Sequence, residues 1–152
     1  MLDKLKGMIA AKSAKEKNIA CFVDGPNMLR KELGVDLDTV KKKLRAYGMI
    51  KVGRVFLDQY ASDKLIEAVT NQGFDPVVVP SDVDVALAVD ASQFIYGDTK
   101  IDVIAIVSRD SDFKPLLMKA KEHGKETIVV GVEPEFSAAL RNSADVVIDL
   151  KA

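Results

Sequence analysis

From Asn18 onward, short runs rich in Val, Ile and Phe alternate with stretches of helical period, and this alternation restricts the fold more than any other feature. A strand that is apolar along its whole length must be covered on both faces. A strand-helix-strand order supplies that cover with crossover helices. The runs IACFVD (19–24), IKVGRVFLD (50–58), FDPVVVP (74–80), DVIAIVS (102–108), ETIVVGV (126–132) and DVVIDL (145–150) predict the strands. Between them, LDTVKKKLRAYG, ASDKLIEAVTNQG, DVDVALAVDASQFIYG, SDFKPLLMKAKEHG and PEFSAALRNS carry apolar residues three and four apart, and the first four end in glycine, a common helix stop. Asp36, Ser62 and Ser111 stand near helix starts, where a side-chain oxygen accepts a free backbone N–H. The expected architecture is α/β: a doubly wound, mainly parallel sheet of five to six strands flanked by helices, with no internal repeat.

A chain of 152 residues is long enough for one domain with a sizeable core. Residues 18–152 account for that domain, preceded by a short N-terminal amphipathic helix over 1–17 in which Leu2, Leu5 and Ile9 fall at helical spacing beside Met8. That face suits packing on the body, docking a partner or membrane surface, or covering a second copy in a homodimer. The sequence does not choose among these. Asp3, Lys4 and Lys6 interrupt the brief apolar stretch, which fits neither a signal peptide nor a membrane span, so a cytoplasmic protein without membrane association is expected. The single cysteine, Cys21, lies in an apolar run and reads as a buried thiol in a reducing compartment. The net charge of −1 argues against nucleic-acid binding by bulk positive charge. A polyanion would have to be held by a local patch or by bound metal.

In an open α/β sheet, ligands bind beyond the carboxyl ends of the strands where the strand order reverses. With the order 3-2-1-4-5, the first strand and DVIAIVS lie side by side, bringing Asp24 toward Ser108-Arg109-Asp110-Ser111-Asp112. Asp24 begins the turn Asp24-Gly25-Pro26-Asn27, where it also suits a plain turn-forming role. Asp112 suits a helix cap, and Asp110 a solvated loop. A third acidic group, Asp82-Val83-Asp84, opens the helix after FDPVVVP, with Asp90 six residues beyond Asp84. Six residues turn a helix by about 240°, so Asp84 and Asp90 cannot point in one direction. Asp84 is the metal candidate, Asp90 a supporting hydrogen-bonding residue, and Asp82 a cap.

Carboxylates concentrated in this way raise one another's pKa unless a cation neutralises them, and hard oxygen ligands suit Mg²⁺ or Mn²⁺. One cysteine and one histidine do not suit zinc. His123 precedes Gly124 at a helix end, where an imidazolium interacts favourably with the helix dipole. Without a second histidine or a G-x-S-x-G elbow, a Ser-His-Asp hydrolase is excluded. Asp24-Gly25-Pro26 lacks the Asp-x-Asp of a dehalogenase-type phosphatase, and no G-x-G-x-x-G follows a strand.

Four segments, FVDGPNM (22–28), DVDVALAVD (82–90), VSRDSDFKPLL (107–117) and FSAALRNSADVVIDL (136–150), together resemble the NYN domain family, a branch of the PIN-like metal-dependent ribonucleases that includes LabA-like proteins. The resemblance covers Asn18 to Leu150. It implies a PIN-like fold and hydrolysis of RNA phosphodiester bonds, in single-stranded or structured RNA, at an Asp-rich site. By that resemblance Asp24, Asp84, Asp110 and Asp112 are the catalytic, metal-holding carboxylates. Asn27 orients substrate or a metal-bound water, Ser108 supports the Asp110/Asp112 pair, and Asp90 matches a helical aspartate of the family pattern; Arg109 departs from that pattern and either supplies a phosphate contact or obstructs the site.

Two departures stand out. Ser81-Asp82 replaces a Lys-Gly pair common in the family, and Ser108-Arg109-Asp110 lies where glycine is common. These favour an alternative of another class, a noncatalytic RNA- or protein-binding module of the same fold. Lys41, Lys42, Lys43 and Arg45, with Arg30 and Lys31, suit either a docking surface for the phosphate backbone or a solvated helix face. No aromatic interleaving points to base recognition.

Overall fold

A computed structural model of the chain describes residues 16–97 and 99–151. The helix expected over residues 1–17 lies, up to residue 15, outside the described residues. Six strands form one sheet: β1 (Asn18–Asp24), β2 (Met49–Leu57), β3 (Asp75–Val78), β4 (Val103–Val107), β5 (Glu126–Gly131) and β6 (Val146–Asp149). Their order is β3-β2-β1-β4-β5-β6, and every neighbouring pair is parallel. The expected mainly parallel, doubly wound sheet is thus a wholly parallel one, and its order reverses between β1 and β4.

Burial explains why the central strands read as unbroken apolar runs. β4 is buried at every position and β1 at all but its first, whereas the edge strand β3 is largely exposed. Side chains alternate across the sheet. Ile19, Cys21 and Val23 enter one core with Val55, Leu57, Val103 and Val107; Ala20 and Phe22 enter the other with Phe56, Ile104 and Ile106. Each fully buried Val, Ile or Phe contributes roughly 1.5–3 kcal/mol of transfer free energy, so these central strands carry much of the stability.

The first core is closed by α1 (Gly25–Met28), α2 (Leu37–Leu44) and α3 (Asp63–Asn71), through Met28, Val40, Leu44 and Val69. The second is closed by α4 (Val83–Tyr96), α5 (Lys114–Glu122) and α6 (Ala138–Ser143), through Leu87, Ala91, Leu117, Ala120 and Leu140. Asp36 caps α2 by accepting from the Asp38 N–H at 2.9 Å, and Ser62 caps α3 by accepting from Leu65 at 3.1 Å. Each cap is worth about 1 kcal/mol. Gly73 and Gly124, which follow α3 and α5, have φ of 85° and 75°, a left-handed conformation in which a side chain is strained.

Two expected caps differ. The chain after β4 first makes a 3-10 turn over Ser111–Phe113, and the cap of that turn is Asp110, whose carboxylate accepts from the Asp112 N–H at 2.9 Å. Ser111 and Asp112 are therefore past the capping position. Asp82 does precede α4, but in a left-handed conformation, with φ 52°, that gives its side chain no capping bond. Among the described residues no helix is long and apolar enough to cross a membrane.

Burial pushes the Cys21 thiol up to about 12. The thiolate is the reactive form, so native protein at pH 8 is expected to leave a disulfide reagent such as Ellman's almost unreacted. In denaturant one thiol per chain should react rapidly, and comparing the two rates checks the placement of Cys21.

Candidate acidic site at the switch point

The register of the two central strands sets Val23 against Val107, so the next residues on each chain, Asp24 and Ser108, leave the sheet together. Both are buried, Asp24 at 6% exposure and Ser108 at 0%. The Ser108 hydroxyl donates to Asp24 Oδ2 at 3.1 Å and its oxygen accepts from the Asp110 N–H at 3.1 Å. Ser108 therefore links the two acidic segments, rather than supporting the Asp110/Asp112 pair alone.

Desolvation dominates the electrostatics of Asp24. Burial raises its carboxyl from the ordinary 3.8 to about 6, the Ser108 hydrogen bond and the nearby Asn27 backbone N–H oppose that rise, and the nearby charges of Asp110 and Asp84 add to it. Among the described residues, the charges acting on Asp24 are those of Asp110 and Asp84. Asp84 and Asp110, from two other β-α connections, thus lie near enough to act on Asp24 at the carboxyl ends of the strands. Asp84 and Asp110 are both partly exposed. An all-oxygen, all-acidic donor set is of the type that suits a hard divalent cation, but among the described residues no three acidic, imidazole or thiol groups stand close enough together to hold a metal ion as they are placed.

The other candidates lie as follows. Asp112 is exposed and is not among the charges acting on Asp24. Asp90, a full turn and more along α4, forms an ion pair with Arg54 of β2 at 2.6 Å and accepts from Gln93 at 2.7 Å. Arg54 in turn lies over the Phe94 ring, 5.4 Å from its centroid. His123 is at the end of α5, with Nδ1 2.9 Å from the Lys119 carbonyl oxygen.

Arg109 is only 5% exposed, and its guanidinium is directed into the protein. Nε donates to Asn27 Oδ1 at 3.2 Å, while the two terminal nitrogens donate to the Asn27 carbonyl at 2.9 Å and the Pro134 carbonyl at 2.6 Å. Its backbone N–H also donates to Asn27 Oδ1 at 3.1 Å, and its carbonyl accepts from Ser137 at 3.0 Å. This clasp joins α1, the end of β4 and the segment between β5 and α6. Sequence reasoning missed it, although an arginine directly after a fully buried strand signals a charge that needs nearby acceptors.

The family model described as the NYN domain matches residues 18–151. An uncharacterized protein of Methanocaldococcus jannaschii is 53% identical over 152 residues, a match covering 98% of this chain and 63% of that protein, so the chain spans less than two thirds of this relative's length. The crystal structure of a protein of unknown function from Vibrio parahaemolyticus shares the fold, with a TM-score of 0.78 at 20% identity over 90% of this chain and 94% of that one.

Two outcomes follow from this geometry. The unfolded chain ionises Asp24 near the ordinary value and the folded chain only near 6, so stability falls as pH rises through that window and stays lower above it. The displacement corresponds to roughly 3 kcal/mol. Asp24→Asn is therefore expected to raise Tm by several degrees at pH 7.5 in EDTA and to lose that advantage near pH 4, as read by thermal melts across pH. Arg109→Ala leaves the Asn27 and Pro134 carbonyls without their donor and is expected to cost about 3 kcal/mol in urea unfolding.

Proposed function

Because this chain belongs to the NYN domain family, we propose that it is a Mg²⁺- or Mn²⁺-dependent ribonuclease hydrolysing phosphodiester bonds at the edge formed by β1, β4 and the start of α4. The observation that carries this reading is Asp24: a buried carboxylate held by Ser108, with the like charges of Asp84 and Asp110 acting on it. Asp24, Asp84 and Asp110 would hold the ion, and Asp112 would join from the exposed rim. Bound there, the metal supplies activation of water and neutralisation of charge on the phosphate.

The chain's own groups prepare that site. Ser108 fixes the carboxylate of Asp24 and the backbone of Asp110, so the two acidic segments keep one spacing. Arg109 clamps Asn27 through its side-chain and carbonyl oxygens, holding α1 beside the carboxylates. Its guanidinium donors are engaged there, which supports a positioning role better than a phosphate contact. Asp90, paired with Arg54, ties α4 to β2 and thereby sets where Asp84 begins the helix.

Among the six cations considered for docking RNA, four have partners within the protein. Lys41 donates to the Gln72 carbonyl at 2.7 Å, Lys42 pairs with Asp38 at 2.9 Å, Arg30 donates to the Pro26 carbonyl at 3.0 Å, and Arg45 pairs with Glu16. This favours a solvated helix face for α2 over a docking track.

A second reading, a noncatalytic RNA- or protein-binding module, draws support from the open spacing of the carboxylates among the described residues. The deciding assay is cleavage of a labelled mixed-sequence single-stranded RNA in EDTA, Mg²⁺ or Mn²⁺. The nuclease reading expects metal-dependent cutting that falls to background in both Asp24→Asn and Asp110→Asn. Metal binding without cutting, by calorimetry on the same protein, would select the noncatalytic module.

A further inference from the structure

The end of β2 adjoins the acidic site. Asp24 is in register with Phe56, and Gly25 lies so close to β2 that a Cβ there would meet the Phe56 carbonyl oxygen at 2.4 Å. Beyond this contact lies a cleft of about 300 Å³, walled by Gly25, Pro26, Leu57, Asp58, Tyr60 and Leu65. Its volume is at the lower end for small-ligand clefts. Two of its wall residues, Gly25 and Pro26, directly follow Asp24 in the chain, so cleft and acidic site share a wall.

Tyr60 is 85% exposed, more than any other large hydrophobic or aromatic side chain among the described residues. A lone exposed aromatic is ordinary on a mobile surface loop. Here the backbone on both sides is pinned. Asp58 Oδ1 accepts from the Tyr60 N–H at 2.9 Å, the Asp58 carbonyl accepts from Ala61 at 3.2 Å, and Ser62 caps α3 immediately afterwards. A ring held on a fixed backbone loses little freedom when something stacks on it.

Charge narrows what that something is. The adjoining site carries Asp24, Asp84 and Asp110, and Lys41 and Lys42 of α2 are engaged within the protein, so phosphate attraction from side chains is weak on this face. A nucleobase stacks on an aromatic ring without needing positive charge, and does so with little regard to sequence.

We propose that the cleft beside Tyr60 takes one base of a single-stranded RNA, stacked on the Tyr60 ring, while the neighbouring phosphate lies at the Asp24 site. This rests on the RNA reading above. It adds a substrate-binding residue in a connection the acidic motifs do not include, and it gives the protein a preference for unpaired over duplex RNA, because a paired base has no free face to offer.

The chain contains no tryptophan, so Tyr60→Trp introduces a single fluorescent reporter at the cleft. A fluorescein-labelled oligoadenylate is titrated in EDTA and in Ca²⁺, following both its anisotropy and the tryptophan emission. The expected result is emission quenched over the same concentrations that raise the anisotropy. Tyr60→Ala should weaken binding by about tenfold, with Tyr60→Phe within about twofold of the natural protein. Because the side chain is exposed, Tm should be unchanged in all three variants.

Binding that leaves the emission constant and is indifferent to Tyr60→Ala overturns the proposal, as does equal affinity for a matched duplex. The cleavage assay stands apart from this one: cutting that persists with an unaltered KM in Tyr60→Ala removes the stacking site and leaves the nuclease reading intact. Absence of RNA uptake by the natural protein removes both.

Discussion

The parallel pairing of β1 with β4 is the contact on which the rest of this structure depends. It is the place where the strand order reverses, and it joins segments 84 residues apart through the Ser108–Asp24 hydrogen bond. Neither strand has an edge in solvent, and the side chains of both are divided between two cores. Any slip in their register would turn Cys21 and Val23 to the wrong face and separate Asp24 from Ser108. Packing and candidate site are therefore specified by the same few residues.

That arrangement places stability and chemistry in opposition. A carboxylate buried next to two others is unfavourable in the absence of a counter-charge, and the hydrogen bond from Ser108 only partly offsets the loss of water. The fold tolerates this because the strain is confined to the tip of one strand, below which both cores are continuous. A sequence selected for stability alone would have placed an apolar or amide side chain there.

Much of the fold was legible because fully buried parallel strands leave an unambiguous trace: runs such as DVIAIVS have no polar face to confuse the reading. The meeting of Asp24 with Asp110 followed from topology, which converts strand order into proximity. Asp84 was legible from its position one residue into a helix after a strand. What stayed hidden involves partners far apart in the chain whose pairing leaves no period. Arg54 and Asp90 are separated by 36 residues, and Arg109 and Asn27 by 82. The cap at Asp110 was missed for a local reason. The chain inserts a 3-10 turn before α5, shifting the start of the helical segment without altering its apolar spacing.

The clasp around Arg109 also bears on how sequences of this kind can drift. Asn27 gives Arg109 both its amide oxygen and its carbonyl, while Pro134 gives only a backbone carbonyl that many residues offer equally well. Substitution at position 134 is thus weakly constrained by this contact, whereas 27 and 109 form a matched pair. A lineage that exchanged the arginine for a smaller residue would be free to exchange the asparagine as well, and correlated change at those two positions would mark relatives in which the acidic edge is held together by other means.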